Sequence, residues 1–65
     1  MNVGDKIYTK KFIATITEKL DNNMFGINFA HRKGNEYNYN VVSKKLIEDM
    51  ISQKEWYLNN DPFSN

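Results

Sequence analysis

Few side chains of this chain could carry covalent or acid–base chemistry. The sequence has one histidine, His31, and no cysteine. Ser43 stands where a helix would begin, and neither Ser52 nor Ser64 has an evident base to activate it. A nucleophilic triad therefore cannot be assembled, and His31, within a basic turn, is interpreted as a surface side chain.

The acidic residues and the glycines do not form a recognisable site either. Glu48 and Asp49 are adjacent, so on a helix they diverge and do not make a general acid–base pair. A zinc site needs about four nitrogen or sulfur ligands, which the chain lacks. Gly4, Gly26 and Gly34 are too scattered for a phosphate loop. We expect no enzymatic activity, no metal and no cofactor.

The charges that could bind a partner are unevenly distributed along the chain. The net charge is only +1. Residues up to Gly34 include six basic and three acidic ones, whereas the residues after Gly34 include three basic and five acidic ones. Small barrels bind nucleic acid on a basic, aromatic face, with cations on phosphates and rings on bases. Residues for such a face are Lys6, Tyr8, Lys10, Lys11, Arg32 and Lys33, with Tyr37 or Tyr39 as stacking platforms. Two observations argue against this alternative. Tyr37 and Tyr39 alternate in register with Val41, which favours a place in the core, and a near-zero net charge gives little counterion release.

Alternating apolar residues predict the strands that must position these side chains. Strands are predicted at about residues 6–8, 12–20, 24–30 and 36–41. Asp21-Asn22-Asn23 is predicted to form a hairpin turn with left-handed residues. Glu18 interrupts the apolar face of the second strand and predicts a bulge or emergence into solvent. Gly26, facing outward, indicates a close backbone approach or a bend.

At Ser43 the apolar period changes from about 2 to about 3.6, which predicts a helix over residues 43–53 with Ser43 as its N-cap. Residues 55–58 then read as a short closing strand. The predicted fold class is mainly β, a five-stranded antiparallel small β-barrel with the helix between its last two strands. Residues 1–58 form the domain and 59–65 a disordered tail. A closed barrel of this size leaves no room for an internal ligand.

The predicted core combines the inward strand positions with the apolar stripe of the helix. Its members are Ile7, Phe12, Ala14, Ile16, Leu20, Phe25, Ile27, Phe29, Tyr37, Tyr39, Val41, Leu46, Ile47, Met50, Ile51 and either Trp56 or Tyr57.

Five short segments resemble the small Src-homology-three-like barrels, many of which occur in phage and prophage proteins. The segments are Val3-Gly4-Asp5-Lys6-Ile7, Ala14-Thr15-Ile16-Thr17, Phe25-Gly26-Ile27-Asn28-Phe29, Tyr37-Asn38-Tyr39 and Trp56-Tyr57-Leu58, and the resemblance covers about residues 3–58. Ala14 stands where such barrels usually carry Gly, and a helix replaces their single 3₁₀ turn. The aromatic ligand groove of the signalling domains has no matching motif here. Asn, Lys and Ile fill 24 of 65 positions, which indicates an AT-rich genome, such as that of a low-GC bacterium or its phage.

The favoured hypothesis is a non-catalytic phage or prophage accessory protein that docks on a host protein and modulates or inhibits it. Tyr and Trp are enriched at recognition surfaces, and an acidic helical face suits a basic partner. The predicted protein-binding residues are Lys45, Glu48, Asp49, Glu55, Trp56 and Tyr57. Nucleic-acid binding is the alternative, and a nucleotide sponge acting as a homo-oligomer is a further one. With no apolar run near 18 residues, we expect no membrane partner and a cytoplasmic location, in the host cell if the protein is phage-encoded.

Overall fold

A computed structural model describes residues 1–34 and 36–64. Asn35, between the third and fourth predicted strands, and Asn65, in the predicted tail, lie outside the described residues. The elements are β1 (Lys6–Tyr8), β2 (Phe12–Asp21), β3 (Met24–His31), β4 (Tyr37–Ser43), α1 (Lys44–Ser52) and β5 (Tyr57–Leu58). All five strands form one antiparallel sheet in the order β4-β3-β2-β1-β5. The mainly β class, the five antiparallel strands and the position of the helix are therefore confirmed. The sheet is open, because β4 and β5 lie at its two edges rather than pairing to close a barrel.

The β2–β3 hairpin contains two irregularities that decide which side chains reach the core. Ile16 pairs with Ile27 but Glu18 pairs with Gly26, so Thr17 is the extra residue of a bulge. A second register shift lies between Lys19 and Asp21. The bulge predicted near Glu18 is thus confirmed.

The hairpin turn forms at Asn22 and Asn23, as predicted, but not with the predicted backbone conformation. Among the described non-glycine residues only Lys54 and Asn59 have positive φ, so the prediction of left-handed residues in this turn is wrong. The Asp21 side chain instead accepts a hydrogen bond from the Asn23 backbone N–H at 2.7 Å. This bond and the adjacent register shift allow the chain to reverse without left-handed residues.

The core lies between one face of the sheet, here called the inner face, and α1. Its buried residues are Ile7, Ala14, Ile16, Phe25, Ile27, Val42 and Ile47, with Met1, Phe29, Ile51, Trp56 and Leu58 packed around them. The helix begins where Ser43 caps it, since the Ser43 hydroxyl accepts a hydrogen bond from the Leu46 N–H at 3.0 Å. The predicted N-cap is confirmed.

Five residues predicted in the core are exposed: Leu20, Tyr37, Tyr39, Val41 and Leu46. On β4 the error is one of phase, because the residues facing the inner side are Asn38, Asn40 and Val42, which lie opposite Phe29, Ile27 and Phe25. The other β4 side chains therefore point to the opposite, outer face. Leu20 is displaced by the second register shift, and Leu46 lies at the flank of a helix that buries Ile47.

Candidate functional site

Five basic side chains from two turns meet at one end of the sheet. Lys10 and Lys11 follow β1, His31 ends β3, and Arg32 and Lys33 follow it. The turns are held together by a hydrogen bond from the Arg32 N–H to the Lys11 carbonyl at 2.9 Å. The five side chains line a cavity of about 360 Å³. We call this set the basic end.

Arg32 is already engaged within the molecule. Its guanidinium makes two hydrogen bonds to the Asp61 carboxylate, at 2.7 and 3.0 Å, and a third to the Thr9 carbonyl at 2.9 Å. It also lies 5.5 Å from the centre of the Phe63 ring. The hydrogen bonds from Arg32 lower the pKa of Asp61, and the same pairing raises the pKa of Arg32. Arg32–Asp61 is the only ion pair within 4.0 Å among residues 1–34 and 36–64, so the lysines of the basic end retain free charges.

The outer face of the sheet carries a row of aromatic and apolar side chains that crosses all five strands. Strand pairing aligns Tyr57, Tyr8, Ile13, Ala30 and Tyr37 in that order. Tyr37 is 68% exposed, whereas the other four are half-buried. Because α1 packs on the inner face, no described helix covers this row.

Tyr39 lies across the outer face above Gly26. Its hydroxyl donates a hydrogen bond to the Glu18 carboxylate, which raises the pKa of Tyr39. A Cβ at Gly26 would lie 2.6 Å from a Glu18 carboxylate oxygen and 3.0 Å from the Tyr39 ring. The sequence predicted a close backbone approach or a bend at Gly26, whereas the atoms that lie close to it are side-chain ends from both neighbouring strands.

The open sheet leaves a groove on the inner face, where Asn38 and Asn40 are exposed to solvent. The groove has a volume of about 290 Å³ and is lined by Thr9, Phe12, Phe29, Asn38, Asn40 and Trp56. The Phe29 and Trp56 ring centres are 5.9 Å apart, and Phe12 meets Phe29 edge-on at 6.3 Å. Thr9 is buried and bonds the Phe12 backbone through its hydroxyl, so it belongs to the wall of the groove.

The structure brings together four of the six residues predicted to bind nucleic acid, namely Lys10, Lys11, Arg32 and Lys33. Lys6 and Tyr8 lie on β1, where the Lys6 ammonium group contacts the Thr15 hydroxyl at 3.5 Å. This pair occupies the outer face rather than the basic end.

The predicted protein-binding residues are distributed over three surfaces. Lys45, Glu48 and Asp49 are exposed on α1, and Glu55 lines a shallow cleft with Lys10 and Lys11. Trp56 faces the groove, whereas Tyr57 lies on the outer face, where its ring contacts Phe63 at 5.6 Å. Phe63 and Asp61 belong to the 59–65 segment.

Sequence reasoning missed the two asparagines of the groove, Asn38 and Asn40. The signal that could have identified them is the phase of β4 set by Val42, the last apolar residue before the helix. Among the described residues, no three His, Asp or Glu side chains lie close enough together to hold a metal ion. Residues 1–34 and 36–64 contain no helix long and apolar enough to span a bilayer. Comparisons with protein-family models, curated proteins and solved structures gave no significant match.

Proposed function

We propose that this protein is a non-catalytic binding module for single-stranded nucleic acid, whose phosphates bind at the basic end. The observation that supports this most directly is the convergence of Lys10, Lys11 and Lys33 from two separate turns. Their charges are not neutralised by any described ion pair. Clustered lysines beside exposed rings are the usual means by which small β proteins hold single strands.

Exposed tyrosine supports a single-stranded ligand rather than a duplex. Tyr37 opens β4 directly after the turn that carries Arg32 and Lys33, and its ring is among the most exposed in the described chain. Unpaired bases can stack on such a ring, whereas paired bases within a duplex cannot. The sequence-based objection that Tyr37 belongs to the core no longer stands.

The test is the salt dependence of binding to a labelled 12-nucleotide single strand, followed by fluorescence anisotropy. With three phosphate contacts, the logarithm of the binding constant plotted against the logarithm of the salt concentration should have a slope of about −2, at about −0.7 per contact on single strands. Replacing Lys10, Lys11 and Lys33 by Gln should weaken binding and flatten the slope. Replacing Lys44, Lys45 and Lys54 by Gln is the matched control, with the same change in net charge on the helical half. Equal effects of the two triple variants would overturn this proposal, as would no binding at low salt.

A second candidate is the docking of a phage or prophage accessory protein on a host protein through α1 and the closing strand. The observation that favours it is Leu46, an apolar side chain 47% exposed beside the charged residues of α1. Exposed apolar groups flanked by charges are typical of protein recognition surfaces.

This second candidate is tested by affinity capture from a lysate of a low-GC bacterium. The wild type is compared with the double variant Tyr57→Ala, Glu48→Lys after circular dichroism has shown that both are folded. We expect one partner to be recovered by the wild type and lost in the variant. Equal recovery by both proteins would place the interface elsewhere, and no recovery by the wild type would argue against protein docking.

A further inference from the structure

We propose that the inner-face groove holds one unstacked base of the bound single strand. This inference rests on the proposed function, since it assigns a base site next to the phosphate site. Of the described cavities on the inner side, this groove is the one that combines aromatic rings with two carboxamides.

The carboxamides of Asn38 and Asn40 are placed where a sheet of this kind would ordinarily carry apolar side chains. Asn38 lies opposite Phe29, and Asn40 lies opposite the fully buried Ile27. Neither side chain forms a hydrogen bond to another described residue within 3.5 Å, and both remain exposed within the groove. A carboxamide offers a donor and an acceptor together, which is the combination that the edge of a nucleobase requires.

Aromatic rings supply most of the remaining lining of the groove. Trp56 and Phe29 form a tilted pair with an interplanar angle of 59°, and Phe12 completes the apolar lining. A base in this groove could stack its face on the Trp56 ring and present its edge to the asparagine carboxamides. A volume of about 290 Å³ is at the lower limit of small-molecule sites, so a single base suits the groove better than a stacked pair.

The groove is continuous with the basic end. Phe12 lines the groove and also contacts His31 edge-on, with ring centres 5.3 Å apart. A shallow cleft between the two regions is lined by Thr9, Lys10, Lys11, Phe12, Glu55 and Trp56, so two cations and one carboxylate border it. When these lysines bind a phosphate, the base of the same nucleotide or of the next one therefore lies at the entrance of the groove.

The experiment uses the full chain and two 8-nucleotide single strands of equal charge, one of thymidines and one of abasic units. Trp56 is the only tryptophan, so its fluorescence reports directly on the groove. We expect the base-bearing strand to change this fluorescence more than the abasic strand does. It should also bind at least about tenfold more tightly, because the groove and Tyr37 each add the affinity of a stacked base. The Asn38→Leu, Asn40→Leu variant should reduce both the Trp56 response and the affinity difference, because the base loses its hydrogen bonds in the groove. The Asn22→Leu control, at the far turn, should keep both.

The outcomes separate this inference from the function on which it rests. A Trp56 signal that the base-bearing strand leaves unchanged would overturn the groove as a base site, whatever the two affinities, and leave phosphate binding at the basic end intact. Failure of both strands to bind at low salt would remove the proposed function itself. If the asparagine variant unfolds, the Trp56 fluorescence of the wild type with the two strands still decides the question, because Trp56 lines the groove and Tyr37 does not.

Discussion

At the scale of single residues, Gly26 allows Tyr39 and Glu18 to meet across β3. In Gly26→Ala the new methyl group would displace these two exposed side-chain ends rather than disturb the core. We expect the pKa of Tyr39 to fall back towards its ordinary value, because the hydrogen bond to Glu18 that raises it is lost. Stability should change little, since Ala in a strand gains about 0.5–1 kcal/mol over Gly, which offsets the lost hydrogen bond.

The measurement is an NMR titration of the tyrosine rings together with a urea melt. The pKa of Tyr39 is raised in the folded state. The hydrogen bond from Tyr39 to Glu18 therefore stabilises the fold below about pH 10, and this stabilisation is lost as the pH rises through the raised pKa. A raised pKa of Tyr39 that persists in Gly26→Ala would contradict this account of the contact.

Asp61 contributes to the acid dependence of stability through its ion pair with Arg32. Its pKa is lowered by the hydrogen bonds from Arg32, so its contribution is present above its unfolded pKa of about 4 and is lost as the pH falls through the lower folded value. We expect Asp61→Asn to lower stability at pH 7 and to reduce the loss of stability on acidification below about pH 4. Urea melts between pH 2 and pH 7 measure both effects. An acid dependence identical to that of the wild type would contradict the assignment.

At the scale of elements, the sequence predicted the strands and the helix better than it predicted which faces they bury. Alternation locates β4 correctly but does not say which of its two sets of alternating residues faces the core. Pairing with β3 selects the set that buries Val42 instead of Val41. Tyrosine is amphipathic and serves on either face, so Tyr37 and Tyr39 do not decide the phase. The Thr17 bulge likewise could be expected from Glu18, but its effect on Leu20 depends on the second register shift.

The start of α1 is fixed by local chemistry and gives the element-scale prediction. Ser43→Ala removes the acceptor for the Leu46 N–H and should lower the free energy of unfolding by about 1 kcal/mol. Ser52→Ala, at the exposed last residue of the same helix, is the control and should cost nothing or stabilise slightly. Equal costs for the two variants in a urea melt would show that capping is not the cause.

At the scale of the whole molecule, the basic end was predictable in part. The turns that follow β1 and β3 both lie next to the start of β2, because β2 pairs antiparallel with both strands. Lys10, Lys11, Arg32 and Lys33 come from those turns, and antiparallel pairing of β2 with both β1 and β3 brings them together. The groove was not predictable, because it depends on the sheet remaining open between β4 and β5. Openness is a property of strand twist and length summed over the whole sheet, and no single residue encodes it.

An open sheet of 65 residues has few buried side chains, so each of them carries a large share of the stability. Ile27 is fully buried at the centre of β3, paired with Ile16 on one side and Asn40 on the other. Ile27→Ala should cost about 2–5 kcal/mol, which is a large fraction of the stability of so small a domain. The matched control is Ile13→Ala, on the half-buried outer face, which should cost clearly less because less apolar surface is lost from the packed interior. Thermal and urea melts of both variants measure the difference. If Ile13→Ala proved as costly as Ile27→Ala, the outer face would be as well packed as the inner one, and its tyrosine row could not be a free surface.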